Sequence, residues 1–428
     1  MKIKKITIRN YKCFEQVSLT PHPNFNLFVG GNGSGKSALL EVASLSIAVS
    51  CVGQITSKAR TKFPKTDDVR SITLNNQQKP QLPLVIECDS TVFEKTTNIK
   101  YTINQELSAE VKAPDKKIIS LIKSKVRESR KIGSVLFPLF AYYGTGRLWG
   151  EDHKAIEFQK QGEGILMAYP DCLVPDTTSK AFLSWYKTLD DEVRKFNKES
   201  DLLFLKVIND AVSSMIPGWE SMAFSHAKDD IVGILDGEFR YFHQLSDGYR
   251  NTIGMVADMV YRCIQLNPHL GENILKETNG IVLIDEIDLH LHPVWQSNII
   301  SNLLRIFPKV QFFATTHSPI VVANYAKGKL FVIEKDHSIG ICSEKYFGKE
   351  VNLVLNNILH ATDRHIATQE KLDLLFNMIE EELPIEKFQD LLNNLEELLG
   401  IEDKEIQKAR SLIAWNKYKK ENPDAIHT

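Results

Sequence analysis

The run Gly30-Gly31-Asn32-Gly33-Ser34-Gly35-Lys36-Ser37 has the spacing G-x-x-x-x-G-K-[ST], the strongest chemical signal in the chain. Glycines let consecutive backbone N–H groups turn inward around a phosphate, and a helix starting there adds partial positive charge at its N-terminus. Lys36 is expected to bridge β- and γ-phosphates and the Ser37 hydroxyl to ligate Mg2+. Gly30, Asn32, Gly33, Ser34, Gly35 and Ala38 would surround the nucleotide, read as ATP. Such a loop needs a carboxylate partner, and Ile281-Val282-Leu283-Ile284-Asp285-Glu286 supplies one as an apolar strand ending in two acids. Asp285 would orient Mg2+ through its water shell, and Glu286 would polarise the attacking water. Taken alone, two acids at a strand end are ordinary solvated surface; beside a phosphate loop the catalytic reading prevails.

Two further segments fit the same chemistry. Phe312-Phe313-Ala314-Thr315-Thr316-His317-Ser318 puts His317 just past a buried strand, in reach of a γ-phosphate. Leu245-Ser246-Asp247-Gly248-Tyr249 lets Ser246 and Gly248 present a hydroxyl, a backbone N–H and a helix N-terminus to a phosphate. The chain already carries one phosphate loop, so this second feature is expected to face another protomer's nucleotide. Two protomers would then complete each other's sites, and association would depend on ATP.

The elements that must hold these residues are legible in the apolar pattern. Ile3 to Val29 alternates around turn residues Pro21 to Asn24 and reads as a β-meander leading into a buried strand over Phe25 to Val29. A buried helix is expected from Ala38 to Val52. Leu136 to Tyr143, Ile281 to Ile284 and Val310 to Ala314 read as strands buried on both faces, as in a parallel sheet. Helices alternating with them make the fold α/β. The stretch from about 52 to 135 reads as an insertion in a nucleotide-binding lobe over 1–150. A helical lobe is expected over 151–250, the rest of the catalytic core over 251–340, and a helical region over 341–428, where Leu372, Leu375, Ile379, Leu391, Leu395 and Leu398 recur at helical spacing.

Composition sets bounds. A chain of 428 residues with a formal charge of −2 has no whole-molecule field to draw it onto nucleic acid or an anionic membrane, so such binding must be local. No apolar run is read as long enough for a spanning helix, and the start lacks the apolar stretch of a signal peptide, so a cytoplasmic protein without membrane contact is expected. Six cysteines stand singly, which argues against a zinc site or a disulfide framework.

In these motifs the chain resembles the ABC-type ATPases of the SMC, Rad50 and RecF branch. Walker A is at Gly30 to Ser37, an LSGGQ-like signature at Leu245 to Tyr249, Walker B at Ile281 to Glu286, a D-loop at Ile287 to Leu289, and the switch histidine is His317. The resemblance implies a P-loop head with a helical signature lobe and a helical C-terminal appendage, acting as a homodimer or higher homo-oligomer. Ile8 to Phe14 also looks like that branch's first strand and turn, where a basic residue touches the nucleotide, which points to Lys12. No strand and glutamine corresponding to a Q-loop is present; Ala141-Tyr142-Tyr143-Gly144-Thr145-Gly146-Arg147 stands in its place. Tyr142 to Trp149, Tyr169 to Leu173, Asp288 to Pro293 and Gly348 to Asn352 look like the predicted ATP-binding proteins that include the Septu anti-phage ATPase subunit and related retron proteins. Members of that group act with a separately encoded HNH nuclease, so the resemblance implies phage defence with cutting done by a partner. Similar heads are fused to a Toprim domain in other nucleases; fewer than a hundred residues follow Ile339 and hold no Asp-x-Asp, so no intrinsic nuclease is expected.

Weaker signals stay open. Lys112 to Lys131 holds eight Lys or Arg against two acids, either one solvated helix face or a track for DNA or RNA, with Lys58, Arg60, Lys62 and Lys65 nearby. Asp288, His290 and His292 imitate a metal site, but their place beside Walker B favours supporting and interface roles. The acidic C-terminal helices are solvated faces or a docking surface. Three functions follow: a nucleic-acid sensor that licenses a nuclease, a nucleotide-locked scaffold that restrains an effector, and a RecF-like repair ATPase.

Overall fold

The first strands, β1 (Lys2–Tyr11) and β2 (Phe14–Leu19), form a hairpin, and β3 (Phe25–Gly30) then runs buried along its whole length into the glycine loop. The computed structural model describes residues 1–56, 61–132, 134–146, 168–175, 180–342, 346–359 and 364–422. These divide into two compact units, Met1–Val354 and Leu355–Thr428. In the first unit follow β4 (Ser71–Leu74), β5 (Gln77–Pro80), β6 (Leu84–Val92), β7 (Lys95–Ile103), β8 (Ala109–Lys112) and β9 (Leu139–Tyr143). After them come β10 (Trp219–Ser225), β11 (Asp230–Leu235), β12 (Glu238–Tyr241), β13 (Gly280–Ile284), β14 (Val310–Thr316), β15 (Lys329–Ile333) and β16 (Ile339–Ile341).

One sheet has the order β16-β15-β3-β14-β13-β9, parallel except for the antiparallel edge strand β16. Every residue of β3, β9, β13 and β14 is buried, which is why each reads in sequence as an apolar run rather than an alternation. Phe28 stacks on Phe331 at 5.0 Å and on Phe313 at 6.4 Å, tying β3 to both neighbours. The other large sheet is antiparallel, ordered β2-β1-β6-β7-β8, and alternates as a half-exposed sheet should: Leu84, Ile86, Cys88 and Val92 point inward from β6 while Glu87 and Asp89 do not.

The helix Lys36–Ile47 continues through a π-helical stretch, Ala48–Val52, to Ile55 and touches β3, β13 and β14 of the first sheet and β1 and β6 of the second. A helix covered on both sides must be apolar all round. Lys36–Ile55 is accordingly long and apolar enough by length and composition to cross a membrane, and 78% of that window is buried inside the protein. The window is apolar on average without being an unbroken apolar run, since Glu41 and scattered serines lie within the helix.

Two regions differ from the sequence reading. Residues 52–135 supply β4 to β8 and the helix Lys116–Ile132, and β6 pairs directly with β1 in the register Ile6 to Cys88, so this stretch builds the same sheet as the N-terminal hairpin. Residues 151–250, expected to be helical, contain the helices Lys180–Phe196 and Glu199–Met215 and then a three-stranded sheet, β10-β11-β12, in which Trp219 packs over Gly233. The helix Asp247–Leu266 that follows is buried along most of its length. In the second unit the helices Ile366–Glu380, Gln389–Leu399 and Lys404–Glu421 enclose Leu372, Leu375, Ile379, Phe388, Leu392, Leu395 and Ile406, and Arg410 grips Glu396 by two hydrogen bonds of 2.7 and 2.9 Å. Leu395 is fully covered there, whereas Leu398 is 59% exposed.

Candidate functional site

β3, β14 and β13 lie side by side and parallel, so the chain leaves all three at one edge of the sheet, the edge where ligands of open α/β sheets sit. The loop after β3 needs its glycines. Gly33 and Gly35 take φ of +74° and +105°, a region open to glycine at little cost. At Gly35 a methyl group would stand 2.5 Å from the Phe14 ring and 2.6 Å from Cys13 Sγ, so the loop is pressed onto the turn of the β1–β2 hairpin. His337 adds a contact of 3.2 Å from Nδ1 to the Ser34 carbonyl.

Lys36 folds back over this loop. Its Nζ donates to the carbonyls of Gly30 at 3.0 Å and Gly31 at 2.8 Å. Burial lowers its pKa, opposed by the carboxylates of Asp285, Glu286 and Asp288. Ser37 Oγ donates to Asp285 Oδ2 at 2.7 Å, and Thr315 Oγ1 donates to Asp285 Oδ1 at 2.6 Å. The same Thr315 oxygen accepts from the backbone N–H of Glu286 at 2.7 Å. One threonine on β14 thereby fixes both acids at the tip of β13. Glu286 takes a φ of +47°, uncommon for a residue with a side chain, and this turn carries the chain away from the strand while leaving the carboxylate partly exposed.

Next along β14, Thr316 Oγ1 donates to Asp288 and accepts from Ser318 N at 2.9 Å, and Ser318 Oγ donates to Gln296 Oε1 at 2.6 Å. His317 stands between these anchors, half-buried. Burial and the charge of Lys36 hold its pKa below the ordinary value, against the pull of Asp288, Glu286 and Asp285, so its imidazole is neutral near pH 7. The donors offered to Mg2+ are the Ser37 hydroxyl and the Asp285 carboxylate, hard oxygens that already touch. Among the described residues no group of three or more His, Cys, Asp and Glu side chains could hold a metal by itself. A hydroxyl and a carboxylate side by side suit an ion whose other positions are filled by phosphates and water, so the residues present fit Mg2+. His292 Nδ1 accepts from Val294 N at 3.4 Å, capping the short helix Pro293–Gln296.

The chain compares with known proteins along most of its length. A family described as "AAA domain" matches residues 5–210, and a second, "AAA domain, putative AbiEii toxin, Type IV TA system", matches 179–323. The chain is similar to the retron Vc95 probable ATPase of Vibrio cholerae, 28% identical over 82% of this chain and 78% of that one. It is also similar to the retron Ec83 probable ATPase of Escherichia coli, 25% identical over 75% and 69%. A shorter match, 36% identical over 28% of this chain, is to the Septu protein PtuA of Bacillus thuringiensis, of which it spans 31%. The chain carries an α/β ATPase domain and is similar to the retron and Septu ATPases.

Within the ATPase head, the structure brings Lys36, Ser37, Asp285, Glu286 and His317 to one edge and places the signature residues elsewhere. Ser246 is the exposed N-cap of the helix Asp247–Leu266, with no side-chain capping bond. Gly248 is buried against the turn that begins with the D-loop, where a methyl group would stand 2.3 Å from the His290 carbonyl oxygen. Asn251 Nδ2 donates to the Leu289 carbonyl at 3.4 Å, and Tyr249 meets Trp295 edge-on at 4.4 Å. Lys12 is held by a carboxylate: its ammonium is paired with Glu41 and lies 4.0 Å from Asp68. Burial would raise the Glu41 pKa, but hydrogen bonds from Lys12, Tyr11 and Lys62 hold it below its usual value.

Thr315, Thr316, Gln296 and His337 were not among the residues singled out from sequence. The signal for the first two was there: a pair of hydroxyls closing an otherwise apolar strand immediately before a histidine. In the place of a Q-loop, Tyr143 ends β9 and its carbonyl accepts from Asp285 N at 2.7 Å. Arg147, Leu148 and Trp149, part of the segment that carried the finer resemblance, and Lys58 and Arg60 of the basic stretch lie outside the described residues.

Proposed function

We propose that the protein is the ATP-hydrolysing subunit of an anti-phage defence system, closing as an ATP-sandwiched homodimer in the cytoplasm and controlling a separately encoded nuclease of HNH type. The observation that carries the proposal is the Ser37–Asp285–Thr315–Glu286 set beside the buried Lys36. Two hydroxyls, two carboxylates and an ammonium stand preassembled where a triphosphate held by residues 30–38 would end. The loop N–H groups and Lys36 bind the phosphates. Ser37 and Asp285 would hold Mg2+, which would supply charge neutralisation to the phosphates. Glu286 accepts the proton of the attacking water, and neutral His317 hydrogen-bonds the γ-phosphate. Ser246 of the partner subunit and Gly248 of the partner subunit cover that phosphate from the other side.

The defence reading rests on the likeness to retron and Septu proteins over chemistry that is common to many ATPases. Sensing of invading nucleic acid is supported by Lys112, Lys116, Lys117, Lys123 and Arg127, all exposed on β8 and on the helix Lys116–Ile132. Lys62 is less available, being paired with Glu41 at 3.1 Å. Sedimentation of the pure protein without nucleotide, with ATP, and with ATP plus the Glu286→Gln change tests the mechanism. Mass that steps up with ATP and stays up in the variant upholds it; a fixed mass in all three sinks the sandwich dimer. Plaque counts then separate a sensor that must turn over, which Glu286→Gln disables, from a scaffold, which it leaves protective.

A further inference from the structure

Tyr143 closes β9 at the point where an ABC-type head would place its Q-loop, and three of its neighbours make it a junction. Its carbonyl accepts at 2.7 Å from the backbone N–H of Asp285, the acid that faces Ser37. Its hydroxyl donates to Asp258 Oδ2 at 2.7 Å, and Asp258 lies on the helix Asp247–Leu266 whose first turn carries Gly248. Arg262, one turn further along that helix, donates to the same Asp258 oxygen at 2.8 Å and to the Ala168 carbonyl at 2.5 Å. The three side chains are at most about a tenth exposed: Tyr143 6%, Asp258 9% and Arg262 7%. The strand edge is held in turn by residues 172–175, since Tyr142 N donates to Cys172 O and Gly144 N to Pro175 O, each at 2.8 Å.

We infer that Tyr143 is a positioning residue that couples the catalytic strand β13 to the signature helix, through its hydroxyl on the buried Asp258–Arg262 pair. The inference rests on the sandwich-dimer reading of the preceding subsection. A buried ion pair is rigid because moving either charge alone would leave the other unpaired in a low dielectric. The helix from Asp258 back to Ser246 is continuous, so a shift of the β9–β13 edge at Asp258 reaches the exposed hydroxyl of Ser246 as a displacement of the whole first turn. Binding of the triphosphate against Asp285 on one face of the molecule would thereby set the angle at which the signature end meets a second protomer. Tyr143 touches no reacting atom; its effect passes through Asp285 on one side and Asp258 on the other.

The Tyr143→Phe change in the full chain removes only the hydroxyl. The expected result with ATP and Mg2+ is a KM within about twofold of the parent protein, a kcat lower by about tenfold, and a midpoint of ATP-driven association raised by a similar factor. Hydrogen exchange gives a second readout that does not depend on turnover. Adding ATP should change protection at both 139–143 and 247–258 in the parent, and at 139–143 alone in Tyr143→Phe. Asp258→Asn, which keeps an acceptor for the tyrosine but weakens the hold on Arg262, should fall between the two. Parent kcat, association and exchange in Tyr143→Phe overturn the inference, as does a loss of ATP affinity in step with a drop in melting temperature, which would make the triad a support of the fold and nothing more. If the parent protein itself neither associates nor hydrolyses ATP, the sandwich-dimer reading has failed, a result distinct from either of these.

Discussion

The two ends of the proposed reaction site are built in opposite ways. At the sheet edge the polar groups satisfy one another: Lys36 rests on loop carbonyls, both oxygens of Asp285 accept hydroxyls, and Thr315 and Thr316 tie β14 to the chain just after β13. At the start of the helix Asp247–Leu266, Ser246 and Asp247 are exposed and the Ser246 hydroxyl caps nothing, although the residue behind them, Gly248, is wedged on the backbone of the turn that begins with the D-loop. The edge is preorganised within one chain, so a nucleotide arriving there meets groups that need not rearrange far. The signature end is fixed in place but open outward, and the first-turn N–H groups of any helix have no partner within the helix. A helix end of this kind is suited to receive an anion from outside its own chain.

The strongest way to break that contrast is at Gly248. A Cβ there would meet the His290 carbonyl, a backbone atom that cannot swing aside, at 2.3 Å. Gly248→Ala should therefore push the signature end off that turn, costing about 1–3 kcal/mol of overpacking strain. ATP-driven association should weaken by about 100-fold while binding of ATP to the isolated chain is retained. Equilibrium binding of a fluorescent ATP analogue alongside sedimentation checks both halves, and unchanged association would mean that the wedge on that turn does not set the signature end.

A smaller effect is expected at the sheet edge. Thr315→Val preserves shape but removes the hydroxyl that Asp285 Oδ1 and the Glu286 N–H share, a loss of about 1–3 kcal/mol. Here kcat should fall about tenfold to 100-fold and the Mg2+ concentration needed for half-maximal turnover should rise, whereas Thr315→Ser should restore both. Parent turnover in the valine variant together with loss in the serine variant would assign Thr315 to packing alone.

How much of this was readable in the sequence depends on what kind of constraint each residue obeys. Phe25 to Gly30, Gly280 to Ile284 and Val310 to Thr316 are buried on both faces, so their apolar runs stand out and their ends can be placed within a residue or two. The glycine loop is legible for a different reason: its conformations exclude most other residues. The region 52–135 was obscure because its strands are half-exposed, with Lys and Thr on the outer face, and because the partner of β6 is β1, some eighty residues earlier. Threonine 315 was missed because a β-branched residue in a strand needs no chemical explanation. The Tyr143–Asp258–Arg262 link was invisible for want of any local signal: its members are more than a hundred residues apart in the chain, apart from the one-turn step between the last two.

The smallest expected effect concerns His317, which belongs to the sheet edge and should report on how closed that edge already is without nucleotide. Burial and Lys36 hold its folded pKa below the ordinary value. In the window between the lowered value and the unfolded one of about 6.5, the unfolded chain binds more protons than the folded chain, so stability rises with pH and is lost as pH falls. The group is only half-buried, so solvent screens much of the effect. Thermal melts of the nucleotide-free protein between about pH 7 and about pH 5 should show a larger decline than those of His317→Gln, whose side chain does not titrate. Parallel declines would place His317 in open solvent before nucleotide arrives, and the edge would then be less preorganised than its hydrogen bonds suggest.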